Sequence, residues 1–93
     1  MSTADRPWLA QYAPGVPAEI DISDESLADL LATSVTRFAD LVALDFYGAT
    51  TTYRDLGDQV VRMANVLLGL GVRRGDRVAL VMPNCPQHVV AFY

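Results

Sequence analysis

Apolar and polar positions recur along this chain with two different periods, and each change of period marks an element. Leu27, Leu30, Leu31, Val35 and Phe38 follow one another at three- and four-residue steps, the spacing of a single helix face. Ser26 stands just before them and Asp29 three residues on. A hydroxyl in that place accepts the third helical amide, and the carboxylate reaches back to the cap, so the pair forms a capping box with Asp in place of Glu. Asp24, Glu25 and Asp29 also put negative charge at the positive helix end. The pattern predicts a helix over 27–38. Leu44 and Phe46 then alternate with Asp45 and Tyr47, the period of a half-buried strand. Gly48-Ala49 fits a two-residue turn with Gly first, and residues 50–53 are β-branched or aromatic, so 43–53 reads as a hairpin.

The helical period returns after Thr52-Tyr53-Arg54-Asp55, a second capping box of the same form. Leu56, Val60, Met63, Ala64 and Leu67 share one face, with Arg54, Asp58, Arg62 and Asn65 mostly opposite. This helix is expected over 54–70, ending at Gly69 or Gly71. Gly57 inside it costs about 1 kcal/mol against Ala and marks close packing on a neighbour. Residues 72–77 are a polar turn. Val78, Ala79, Leu80, Val81 and Met82 are apolar without alternation, the pattern of a strand buried on both faces in a parallel sheet. Strand, helix and strand here make a βαβ unit, whose crossover is expected to be right-handed. Pro83-Asn84-Cys85-Pro86 is a turn, with Asn84 or Cys85 capping a third helix and Pro86 in its first turn.

Residues 1–25 form an arm instead. Pro7, Pro14 and Pro17 block helix and sheet interiors, so the arm is expected to be extended. Trp8, Leu9, Tyr12, Val16, Ile20 and Ile22 are expected to dock it on the folded body formed by 26–93. The third helix is barely two turns old when the sequence stops at Phe92-Tyr93, and one buried strand with half a crossover cannot close a core. The expectation is an incomplete α/β domain, the first part of a larger protein.

Composition narrows the chemistry. The 93 residues are 52% hydrophobic, too apolar for a disordered chain, and the net charge of −4 argues against a basic nucleic-acid surface. Every basic residue is Arg, so there is no lysine chemistry. A single Cys85 forms no internal disulfide, which suits a reducing cytoplasm. Uninterrupted apolar runs fall far short of the ~20 residues a membrane-spanning helix needs, and the first residues lack the form of a secretory signal.

Four groups could carry chemistry, and each has a plainer reading. Gly69, Gly71 and Gly75 suggest a phosphate loop, but such a loop follows a strand and opens a helix, whereas this one follows a helix; helix termination is preferred. Cys85 and His88 lie three residues apart at a helix start, where a thiolate-imidazole pair is conceivable, against an ordinary capping turn with a packed thiol. Asp21, Asp24 and Glu25 cluster without calcium-loop spacing or its central Gly, and read as solvated charge. Arg73, Arg74 and Arg77 make a basic spot, by default a solvated turn.

The order of the pieces resembles a known superfamily. Thr51-Thr52-Tyr53-Arg54-Asp55-Leu56, the helix ending Leu67-Leu68-Gly69-Leu70-Gly71-Val72, and Arg74-Gly75-Asp76-Arg77-Val78-Ala79-Leu80-Val81-Met82-Pro83-Asn84 resemble the start of the adenylate-forming, AMP-binding enzymes. Pro7-Trp8-Leu9, Tyr12, Gly15-Val16-Pro17-Ala18-Glu19-Ile20 and Ser26-Leu27-Ala28-Asp29-Leu30-Leu31 are similar to bacterial long-chain fatty acid–CoA ligases. The resemblance implies the N-terminal part of the large α/β domain of an enzyme that uses ATP and Mg2+ to make an acyl-adenylate from a fatty acid, then passes the acyl group to coenzyme A. It implies a cytoplasmic protein, by analogy peripheral to the inner face of the membrane. The family's phosphate loop, ribose-binding Asp, magnesium-binding Glu, hinge and adenylation Lys fall after the last residue here. No catalytic, cofactor-binding or metal residue is therefore assigned among the 93, and these residues alone are expected to be inactive and to bind none of the cofactors. Another acyl- or aryl-CoA synthetase, and a stand-alone interaction module derived from one, remain the alternative readings.

Overall fold

A computed structural model describes residues 5–93; the first four residues of the predicted arm lie outside the described residues. Helix α1 spans Leu27–Arg37, strands β1 and β2 span Val42–Phe46 and Ala49–Thr52, helix α2 spans Tyr53–Gly69 and helix α3 spans Pro86–Phe92. The local signals account for these bounds. The Asp29 amide donates to Ser26 Oγ at 3.1 Å and the Ser26 amide to Asp29 Oδ2 at 3.3 Å, so the first capping box is complete. At α2 only the hydroxyl half forms, with the Asp55 amide donating to Thr52 Oγ1 at 3.2 Å. Thr52 is also the last residue of β2, so a single residue closes the hairpin and opens the helix. The next two amides of α2, those of Tyr53 and Arg54, donate to the carbonyls of Leu41 and Ala39 at 3.0 Å. The segment between α1 and β1 thereby satisfies helix-start amides that have no intrahelical partner.

The hairpin forms one residue away from the expected turn. Phe46 pairs with Ala49, so Tyr47 and Gly48 are the turn residues, and both have positive φ, 52° and 89°. Two residues of that kind make a type I′ turn, whose twist matches the strands, rather than a turn with Gly first. Asp45 Oδ1 accepts the Gly48 amide at 2.9 Å and stabilises this choice. Val42 pairs with Thr52 but Leu44 with Thr51, leaving Ala43 as the extra residue of a bulge.

α2 is the centre of the molecule. Leu56 is 3% exposed and Val90 on α3 is 7% exposed, the two buried apolar residues among those described. Val60, Met63 and Leu67 of the expected inner face are half-buried but Ala64 is exposed, as are Arg54, Asp58, Arg62 and Asn65 on the opposite side. Gly57 lets α1 approach α2: a Cβ there would lie 2.9 Å from Val35 Cγ1. The rings of Phe38 and Tyr53 add a tilted contact, 6.4 Å between centroids, at the same junction. The Arg54–Asp40 ion pair at 2.7 Å is exposed on both sides, and such pairs contribute little.

Two larger expectations also fail. Residues 78–82 do not form a buried strand and no βαβ unit is built. The segment belongs to no ladder, and Val78, Val81 and Met82 are 49%, 93% and 40% exposed. A central parallel strand needs neighbours on both edges, and the only sheet among the described residues is the antiparallel β1–β2 pair. The arm is likewise neither fully extended nor docked. Pro7–Gln11 form a 3₁₀ turn, for which Pro in the first turn is well suited, and Trp8, Tyr12, Val16, Ile20 and Ile22 are exposed. The arm instead closes on itself, Arg6 pairing with Glu19 and donating to the Ala18 carbonyl at 2.8 Å.

Candidate functional site

Helix α2 ends in a turn that consumes its own polar groups. Gly71, at φ 96°, donates its amide to the Leu68 carbonyl, and Val72 donates to that of Leu67, both at 3.1 Å. This is a Schellman closure, and the positive φ is the reason Gly71 stands there. The Arg73 guanidinium then donates to the Leu68 and Val72 carbonyls at 3.1 and 2.9 Å, a cation on the negative helix end. The Arg73 amide donates to Asp76 Oδ2 at 2.8 Å, and the Asp76 amide returns to the Arg73 carbonyl at 3.0 Å. A phosphate cradle needs several free amides converging on one point. Here the amides of residues 71, 72, 73 and 76 are already bonded within the turn. The glycines of this stretch terminate a helix, and Arg73 is a helix cap rather than part of an open basic spot. A basic residue just past a glycine-terminated helix was the signal for that role. Arg74 and Arg77 stay exposed.

Cys85 and His88 are both half-buried at the start of α3. Cys85 occupies the cap position in extended backbone without a side-chain bond, and the His88 amide donates to the Cys85 carbonyl at 3.0 Å. A working nucleophile-base pair requires a hydrogen bond between the two side chains. Among the described residues no such bond links the thiol to the imidazole, so the structure does not assemble the pair. Asp21, Asp24 and Glu25 are exposed, and among the described residues no three His, Cys, Asp or Glu side chains are grouped to hold a metal ion. These residues do not fit an ATP–magnesium group: there is no Lys in the chain, no acidic cluster among the described residues, and the amides of 71, 72, 73 and 76 are bonded within their own turn.

What the molecule does present is open apolar surface. A groove of about 360 Å³ runs between α1 and α2, lined chiefly by Ala28, Leu31, Val35, Gly57 and Val61. A second, of about 330 Å³, lies between α2, the segment 76–80 and α3, and includes Met63, Leu67, Val78, Leu80 and Phe92. Sites for small polar ligands add a few convergent polar groups to an apolar wall. In the second groove the one charged residue, Asp76, is already bonded to its own turn. Both grooves are open and mostly apolar, with Asp58 the charged residue on the first.

Comparison with known proteins places this surface in context. The family model described as AMP-binding enzyme matches residues 31–93. The chain is 38% identical over 90 residues, 97% of its length, to a long-chain-fatty-acid–CoA ligase of Bacillus subtilis. It is 42% identical over 88 residues, 92% of its length, to a long-chain-fatty-acid–CoA ligase of Escherichia coli. It is 34% identical over 89 residues, 94% of its length, to the acyl-CoA ligase sidI of Aspergillus fumigatus. In these three matches it spans 16%, 16% and 15% of the relative's length. No solved structure matches. No helix among the described residues is long and apolar enough to cross a membrane. The two hydroxyl-capped helices, the Thr-Tyr hairpin end and the Gly-Asp-Arg turn thus lie within a stretch shared almost end to end with these ligases, and the chain belongs to the AMP-binding enzyme family.

Proposed function

We propose that this chain is the N-terminal scaffold of the large domain of a long-chain fatty acid–CoA ligase. The whole protein then activates a fatty acid with ATP and Mg2+ to an acyl-adenylate and transfers the acyl group to coenzyme A. The observation that carries this reading is the identity of 38–42% with two bacterial ligases over more than nine-tenths of the chain. Residues 1–25 serve as its arm and 26–93 as the opening part of the α/β domain. None of the 93 residues is catalytic or binds ATP, magnesium or coenzyme A; their work is to hold apolar faces ready for the rest of the domain. The bonded amides of Gly71, Val72, Arg73 and Asp76 and the unassembled Cys85–His88 pair support that division of labour. The protein acts in the cytoplasm, with peripheral contact at the membrane where its substrates partition.

A second reading rests on the match to the fungal acyl-CoA ligase: this stretch is common to acyl-CoA ligases beyond the bacterial long-chain enzymes, so the acid is chosen elsewhere in the protein. The test is to express the full open reading frame that contains these residues and measure ATP–pyrophosphate exchange and thioester formation with long-chain, short-chain and aryl acids. Long-chain acids should be preferred. Preference for short or aryl acids would move the protein to another synthetase class, and no activity with any acid would overturn the ligase reading. The 93-residue chain assayed alone should give no exchange above a heat-killed control. Exchange abolished by Cys85→Ala or His88→Ala would return catalysis to those residues.

A further inference from the structure

We draw no further inference here: the strongest candidate, the open apolar groove between α2, the extended segment 76–80 and α3, is an unpartnered face, and nothing in the structure shows what covers it.

Discussion

Gly57, Gly69 and Gly71 lie on or just past one helix, yet the structure requires glycine only at Gly57 and Gly71, for different reasons. At Gly57 a Cβ would meet Val35 Cγ1 at 2.9 Å and Cγ2 at 3.0 Å. Val35 is β-branched and helical, so its rotamer is restricted and it cannot swing away. Ala at 57 gains about 1 kcal/mol of helix propensity but incurs overpacking of about 1–3 kcal/mol. Gly57→Ala is therefore expected to destabilise the protein, and the added change Val35→Ala to recover part of the loss. Urea denaturation of the two single variants and the double variant checks this; a stabilised Gly57→Ala would refute the close contact. At Gly69 a Cβ meets nothing within 4 Å and φ is ordinary, so Gly69→Ala should stabilise by about 0.5–1 kcal/mol. At Gly71 space is also open, but φ is +96°, and Gly71→Ala should cost about 1–2 kcal/mol from backbone strain alone. Opposite signs two residues apart, read from the same denaturation midpoints, separate helix propensity from the left-handed closure.

Among the elements, α1 and α2 differ from residues 78–82 in where their stability comes from. A capping hydroxyl and a periodic apolar face in both helices, and a terminal glycine in α2, act within a few residues of one another. Ser26→Ala removes the bond from the Asp29 amide to Ser26 Oγ, while the backbone bond from the Ser26 amide to Asp29 Oδ2 is retained, and should cost about 1 kcal/mol, seen as lost helical ellipticity and a lower denaturation midpoint. A strand has no such local support, because its hydrogen bonds go to other strands. The amides of 78–82 are in no ladder here, so they should exchange with solvent at nearly unprotected rates in the 93-residue chain. The same amides should become strongly protected in the full-length protein if the proposed scaffold role is right. Protection already present in the 93-residue chain would mean that the segment finds a partner within it.

For the molecule as a whole, surface decides behaviour. Its accessible area is 7795 Å², against about 5,300 Å² for a compact monomer of the same mass. Its radius of gyration is 18.7 Å, against about 12 Å for a compact domain of this length. Ile20, Ile22, Leu70 and Val81 are among many large apolar residues left exposed, and contiguous surface of this kind is an association hazard. The 93-residue chain in isolation should therefore bind a hydrophobic dye and either self-associate or melt without a sharp transition. A monomeric, dye-silent chain with a cooperative thermal transition would contradict this.

The boundary between what the residues dictate and what the fold dictates follows the range of the forces involved. Both long helices, their capping hydroxyls, the existence of the hairpin and the close approach at Gly57 were legible in the sequence, since each depends on neighbours along the chain or on the size of one side chain; the carboxylate half of the second box did not form. The termination of α2 by the glycines at 69–71 was legible too. The placement of the hairpin turn on Tyr47-Gly48 was not: Gly48 suits either register, and the cross-strand pairing of Phe46 with Ala49, helped by Asp45, decided it. Nor was the role of Arg73 assigned, since a guanidinium five residues beyond the Leu68 carbonyl reaches it only after Gly71 has reversed the chain. The largest departure is at 78–82. Its apolar run encodes a preference for burial, but burial requires neighbouring strands and a covering layer, and these contacts exist only where tertiary structure supplies them.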